Sequence, residues 1–532
     1  MASEMTHWGK GVSAALKARG VDTIFTLSGG HIFPIYDGAV ADGIRLIDFR
    51  HEQSAAFAAE GWARLGRRPG VAAVTAGPGV LNAINPLATA QMNGSSLVLL
   101  GGRAPESRWG MGSLQEIDHL PVVASLCKHS ATAGDTLVTE LTSAIRQGRT
   151  APRGPVFFDF SLDLMAEADA GLPDLDEPSR IEPNENSIGY ILDLLAKSER
   201  PVLLAGSNVY ADGAWEAMTA FAEAARIPVF TNGMGRGTIP ADHELAFSRS
   251  RGKAFQKTDL AIIAGTPFDF RISFGDRFPS DAAVVHLDSA PELITTNRKL
   301  DVGLGADLDL VFSGLANETK PMDTASWLTE LRSLEVDDPD LLSDQTPIHP
   351  MRIYGELRKF LDRDAIVIND GGDFVSYAGR EISSYVPGSW LDPGPFGCLG
   401  TGPGYAIAAK LMYPDRQVLL LLGDGAFGFS GMEFDTMVRH KLPIVAVVGN
   451  NGIWALEKNP MRMFFGYDVV ADLRQETRYD QIVEGLGGYG ETVTDPREIQ
   501  PALKRAFDAG VPALLNVITD PEVIYPRSAN LA

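Results

Sequence analysis

Gly423-Asp424-Gly425 closes one apolar run of this chain, and Asn450-Asn451 closes the next. An acid, an amide and free backbone carbonyls are hard oxygen donors. They suit Mg²⁺, which completes its octahedron with water and phosphate oxygens. The glycines around Asp424 let backbone N–H groups approach an anion at a helix start, as a diphosphate requires. Asp424 and Asn451 are therefore candidate metal ligands, with Gly425 and Ala426 as candidate phosphate donors. Another acid lies far upstream. Glu52, in DFRHEQSAAFAAEGWARLG (48–66), follows a strand ending at Phe49 and opens an alanine-rich helix. Packed against such a helix it is partly withdrawn from water, which favours a form able to donate a proton.

These residues need a scaffold that delivers strand ends side by side. Short β-rich runs such as VAAVTA, SSLVLLGG, PVLLAG, LAIIAG, AIVIND, QVLLLLGD and PIVAVVGN alternate with helix-like segments. Nearly continuous apolar strands are buried on both faces, so the sheets are parallel and wrapped by helices. A strand over 417–422, a helix from about Gly431 and a strand over 443–448 make one right-handed βαβ unit. Ligands in such sheets bind beyond the carboxyl ends of the strands. Two acidic, proline-bearing stretches, 167–187 and 331–350, read as linkers. The expected architecture is three α/β domains of parallel sheets flanked by helices, over 1–175, 188–330 and 346–532.

The balance of 46 basic against 68 acidic side chains gives a formal charge of −22 over 532 residues. Such a surface repels nucleic acid and anionic membrane, and neither is an expected partner. Only Cys127 and Cys398 occur, which argues against a disulfide framework and fits a reducing compartment. With no signal-like apolar core near the start and no run long enough to span a bilayer, a cytoplasmic protein is expected.

GDG followed some two dozen residues later by NN resembles the metal motif of the thiamine-diphosphate (ThDP) enzyme superfamily. The resemblance implies Mg²⁺ held by the side chains of Asp424 and Asn451 and by the carbonyl of Ile453. It places Glu52 against the pyrimidine ring of ThDP, donated from a different domain, usually of a neighbouring subunit. WLDPGPFGCLGTGPGYAIAAK (390–410) resembles the loop that bends the cofactor, with Leu399 as the wedge and the Gly397 carbonyl at the pyrimidine edge. NDGGDFVSYAG (369–379) matches the loop around the diphosphate, making Gly372, Asp373 and Phe374 candidates. The three blocks then read as pyrimidine-binding, middle and diphosphate-binding domains. A homodimer is the minimal functional unit, and a tetramer is expected.

Within the superfamily, LDPGPFGCLGTGPGYAIAA is similar to 2-hydroxyacyl-CoA lyases and oxalyl-CoA decarboxylases, whereas LSGGHIFPIYDG (27–38) is similar to benzaldehyde lyase. By these resemblances His31 relays a proton from substrate hydroxyl and Gln115 holds the reacting oxygen. Glu491, where relatives carry an aromatic residue, is placed to take the hydroxyl proton. The tail YPRSANLA resembles one that closes over coenzyme A, with Arg527 and Ser528 as contacts. Gly206 and Asp288 suit an ADP molecule in the middle domain. The expected activity is cleavage of a 2-hydroxyacyl-CoA into formyl-CoA and an aldehyde or ketone. Acyloin cleavage, oxalyl-CoA decarboxylation and FAD-containing acetolactate synthesis are the alternatives, and a non-catalytic ThDP-fold protein is disfavoured because Glu52 and the metal ligands are all present.

Overall fold

A computed structural model describes residues 5–167 and 177–525. Its three large sheets are parallel throughout and are flanked by helices. The first runs in the order Arg45–Asp48, Thr23–Thr26, Gly70–Val74, Leu97–Arg103, Val156–Ser161, His129–Thr132. The second runs Val229–Thr231, Pro201–Ala205, Leu260–Ala264, Ala283–Asp288, Val302–Gly305. The third runs Trp390–Leu391, Ile366–Asp370, Val418–Gly423, Val445–Asn450, Ala513–Ile518, Tyr489–Val493. Central strands such as Gly70–Val74, Pro201–Ala205 and Ile366–Asp370 are buried at every position, as expected of strands covered by helices on both faces. Among the described residues no helix is long and apolar enough to cross a membrane.

Several local expectations shift. The strand before the acid spans Val418–Gly423; the helix expected from about Gly431 is Glu433–Arg439, and a further short helix, Asp424–Ser430, begins at the acid itself. Ala426 and Phe427 supply that turn with buried apolar anchors, so the sheet can accept a helix at once. The second strand runs to Asn450, at Val445–Asn450. The stretch 331–350 is not a free linker. Leu341 is buried, and Asp338 caps the short turn Pro339–Leu342. Arg352 donates to the Ser343 carbonyl at 3.0 Å and to Asp344 at 2.6 Å, tying the strap to the helix Pro350–Phe360. A small antiparallel pair, Met5–His7 with Met165–Glu167, joins the two ends of the first domain.

The first and third domains meet through two helices, Glu52–Gly66 and Gly402–Met412. Close approach depends on Gly404, where a Cβ would stand 2.8 Å from the Ser54 carbonyl. Glutamate and tyrosine seal the crossing: Glu60 accepts from Tyr405, Asn93 and Ser95.

Candidate active site

The strands Val418–Gly423 and Val445–Asn450 lie side by side with Gly423 level with Gly449, so Asp424 and Asn451 leave the sheet at one edge. Asp424 is buried; its Oδ1 accepts from the Gly425 N–H at 2.9 Å and its Oδ2 from the Gly452 N–H at 2.7 Å. The Asn451 Oδ1 accepts from the Ile453 N–H at 3.2 Å, which gathers Asn451 and Ile453 on the same turn. The two asparagines have different work. Asn450 donates to the Gln475 carbonyl and to Asn516 Oδ1, stitching the sheet, and is fully enclosed.

Burial pushes the Asp424 carboxyl up to about 6, and the nearby Asp373 carboxylate adds to the shift. Burial pushes Asp373 up to about 6 as well, with Glu457 contributing. Two acids withdrawn from water with no cationic side chain bonded to either, among the described residues, form a site that a divalent cation stabilises. No cluster of three or more His, Cys, Asp or Glu side chains occurs among the described residues; what this turn offers is one carboxylate, one amide and backbone carbonyl, donors that Mg²⁺ accepts. The residues present fit the ion.

Gly371 and Gly372 turn sharply at φ +98° and +40° into the helix Gly372–Glu381, and a Cβ on Gly371 would stand 2.7 Å from that of Ala426. The starts of two helices thus converge on one spot, where N–H groups attract phosphate. Phe374 contributes only backbone there, because its buried ring packs against Tyr354 and Gly449. The next loop carries Gly397 at φ +69° and a half-buried Leu399. Asp370 fixes that loop from behind by accepting the N–H groups of Gly400 at 3.1 Å and Gly402 at 2.8 Å.

In the first domain, Glu52 is buried and its Oε2 accepts from Asn82 Nδ2 at 3.0 Å. Among the described residues no hydrogen bond or ion pair joins Glu52 to the Asp424 turn. His31, Thr75 and Gln115 form a second polar group beside it. The Thr75 hydroxyl donates to Gln115 Oε1 at 3.2 Å and stands 3.2 Å from His31 Nδ1. Burial holds His31 below the ordinary histidine value, against the opposing effect of the Leu114 carbonyl and the Gln115 side chain. His31 also lines a cavity of about 940 Å³, walled by Phe33, Pro34, Pro105, Leu114 and Leu162 together with Arg108. Asn82 and Thr75 were missed in the sequence; the signal available was the Gly77-Pro78-Gly79 turn directly after a strand.

Glu491 is not part of this site. It lies on the outermost strand Tyr489–Val493, level with Leu515 and Val447, three residues short of the Asn450 end. Its carboxylate is held by Arg505 at 2.6 Å and by the Tyr489 hydroxyl at 2.6 Å, and the Arg505 bond chiefly keeps it below the ordinary carboxylate range. Arg527 and Ser528 lie outside the described residues. In the middle domain, Gly206 must be glycine because a Cβ would stand 2.4 Å from the Gly265 carbonyl oxygen. Asp288 is buried, accepting from Asn208 at 2.7 Å and from the Ser289 N–H at 2.8 Å, and burial pushes it up to about 7. Asn208 and Ser207 face a second cavity of about 330 Å³ between the first and middle domains, lined also by Arg64, Arg67, Arg149 and Arg153.

Three family models match in chain order: the thiamine pyrophosphate enzyme N-terminal TPP binding domain over 6–122, the central domain over 188–315 and the C-terminal TPP binding domain over 370–517. The chain belongs to the thiamine pyrophosphate enzyme family. An acetolactate synthase large subunit IlvG of Mycobacterium tuberculosis is 51% identical, over 100% of this chain and 99% of its own length. A 2-hydroxyacyl-CoA lyase 2 of Caenorhabditis elegans is 35% identical over 92% of this chain and 85% of its own. The Homo sapiens protein of the same name is 32% identical over 97% and 90%. As a member of this family the protein is a ThDP-dependent enzyme with two TPP-binding domains around a central one.

Proposed function

We propose that the enzyme cleaves a 2-hydroxyacyl-CoA between its carbonyl carbon and the hydroxyl-bearing carbon, releasing formyl-CoA and an aldehyde or ketone, and that it runs in reverse as a condensation. The observation that carries this reading is the apolar cavity in front of His31. Its walls have room for a hydrocarbon acyl group far larger than a methyl, and His31, which Thr75 and Gln115 back, lines it. Bound ThDP supplies the nucleophilic carbon and holds the electron pair of the broken bond.

The chain's own groups then have defined tasks. Thr75 donates to Gln115, so it accepts from His31 Nδ1–H, and Nε2 is left to take the hydroxyl proton as the bond breaks. Burial favours the neutral ring. The Gln115 amide orients the reacting oxygen. Glu52 would support the pyrimidine ring of ThDP, Asp424, Asn451 and the Ile453 carbonyl would hold Mg²⁺, and Gly372, Gly425 and Ala426 would receive the diphosphate. As in the family the chain belongs to, the working unit is proposed to pair Glu52 of one copy with the Mg²⁺ turn of another, in a homodimer at least. The arginine-lined cavity at Ser207 and Asn208 suits the diphosphate of ADP. Arg527 and Ser528 are proposed to contact coenzyme A.

A second reading, acetolactate formation from 2-oxo acids, is favoured by the 51% identity to the mycobacterial synthase. Incubation with ThDP, Mg²⁺ and a 2-hydroxyacyl-CoA, followed by mass spectrometry for formyl-CoA and the carbonyl product, tests the first reading. Pyruvate turnover to acetolactate in its place, with a flavin released from the purified protein instead of ADP, would replace it by the second.

A further inference from the structure

One fully enclosed histidine is outside the groups assigned above. His119 stands just before the short helix Leu120–Val123 and uses both ring nitrogens. Nδ1 lies 2.9 Å from the Asp159 carboxylate, and Nε2 receives the Gly77 N–H at 3.0 Å. A backbone amide only donates, so Nε2 carries the lone pair and the ring proton sits on Nδ1, directed at Asp159. Asp159 is a residue of the strand Val156–Ser161, opposite Gly101, with Arg103 Nη1 3.6 Å away. The dyad is therefore rooted in the sheet.

What it grips is the turn beside the candidate catalytic groups. Gly77 sits at φ +55° and ψ −109°, and a Cβ there would stand 2.8 Å from the Gln115 carbonyl oxygen. The helix Pro78–Asn82 follows at once, and its last residue donates to Glu52. A Cβ on Gly79 would stand 3.6 Å from Glu52 Oε1. On the other side, Gln115 is held at φ +60°, a left-handed backbone that a non-glycine residue keeps only where its surroundings impose it.

We propose that His119 is a positioning residue: it pins the Gly77 turn and the Gln115 segment to Asp159, so that Asn82 fixes Glu52 and Gln115 stays against Thr75 and His31. The tasks of Glu52 and Gln115 rest on the function proposed above, whereas the pinning itself does not.

Two variants separate shape from hydrogen bonding. His119→Phe keeps a ring without an acceptor, and His119→Gln brings an amide oxygen to the place of Nε2. Amide hydrogen exchange of the cofactor-free protein over residues 75–82 is expected to speed up about tenfold in His119→Phe, the loss of one hydrogen bond, and to stay near wild type in His119→Gln. With ThDP and Mg²⁺, kcat of His119→Phe should fall about 10- to 100-fold at nearly unchanged KM and cofactor affinity, with His119→Gln recovering most of it. Should His119→Phe not fold, His119→Asn, too short to reach Gly77, takes its place with the same expectation. Unchanged exchange in Phe and Asn variants, or equal exchange in Phe and Gln variants, overturns the proposal. A wild type without ThDP-dependent turnover overturns the proposed function instead, and the exchange result still decides the pinning.

Discussion

The hydroxyl of Tyr405 donates to the carboxylate of Glu60 across 2.6 Å, joining two residues 345 positions apart. Both are fully enclosed, and Arg64 stacks over the same tyrosine ring at 5.4 Å. Burial pushes the Glu60 carboxyl up, and its three donors oppose that cost. Tyr405→Phe keeps the packing and removes one donor from a buried acceptor, at a cost of about 1–3 kcal/mol. A lowered thermal midpoint with unchanged kcat per folded site is the expected result. A midpoint equal to wild type would show that the bond contributes nothing to the domain crossing.

Glu52→Gln is close to isosteric and keeps an oxygen for Asn82, so the fold should be undisturbed. What it loses is the transferable proton. Turnover is expected to fall by about 10²–10⁴ while ThDP still binds, the range over which a positioned acid acts. Steady-state kinetics beside a calorimetric titration with ThDP and Mg²⁺ checks both halves. Turnover within a few-fold of wild type would remove Glu52 from the chemistry.

Asp424→Asn should act with opposite signs on the free and loaded protein. Without the ion, the carboxylate is a buried charge met by backbone N–H groups, chiefly those of Gly452 and Gly425, and by no cationic side chain among the described residues, so its removal should leave the free protein at least as stable. With Mg²⁺ and ThDP, the ligand-induced rise in thermal midpoint should largely vanish. A loss of stability in the free protein with an intact ligand-induced rise would show that Asp424 is a structural cap.

The place of the turn proposed to hold Mg²⁺ was legible because an apolar strand fixes where its end must lie, and Asp424 and Asn451 stand at two such ends. The three parallel sheets followed from the same continuous runs. Glu491 was assigned by its likeness in position to relatives' aromatic residue, which says nothing of its partners: on the edge strand, three residues short of the Asn450 end, Arg505 holds it. Asn82, Thr75 and His119 were invisible for a different reason. Their partners Glu52, His31 and Asp159 come from segments 30 to 44 residues away, and no local spacing encodes such pairs.

Asp370 gives the fold a pH dependence of known sign. It is fully enclosed at the end of the strand Ile366–Asp370, and burial pushes its carboxyl from 3.8 up to about 7 against the pull of the Gly400 and Gly402 N–H groups. In the unfolded chain the group ionises near its ordinary value; in the folded one it does so only near neutrality. Its share of stability is thus fully present below about pH 4 and is lost as pH rises toward 7, at a slope of about 1.4 kcal/mol per unit, levelling off above. Asp370→Asn cannot ionise in either state. Denaturant midpoints of the cofactor-free proteins, taken from pH 4 to 8, should therefore show the variant gaining on wild type through that window and holding a constant difference beyond it. A difference that stays flat across the window would mean that Asp370 is already ionised in the folded protein, with its charge met by the helix start at Gly402.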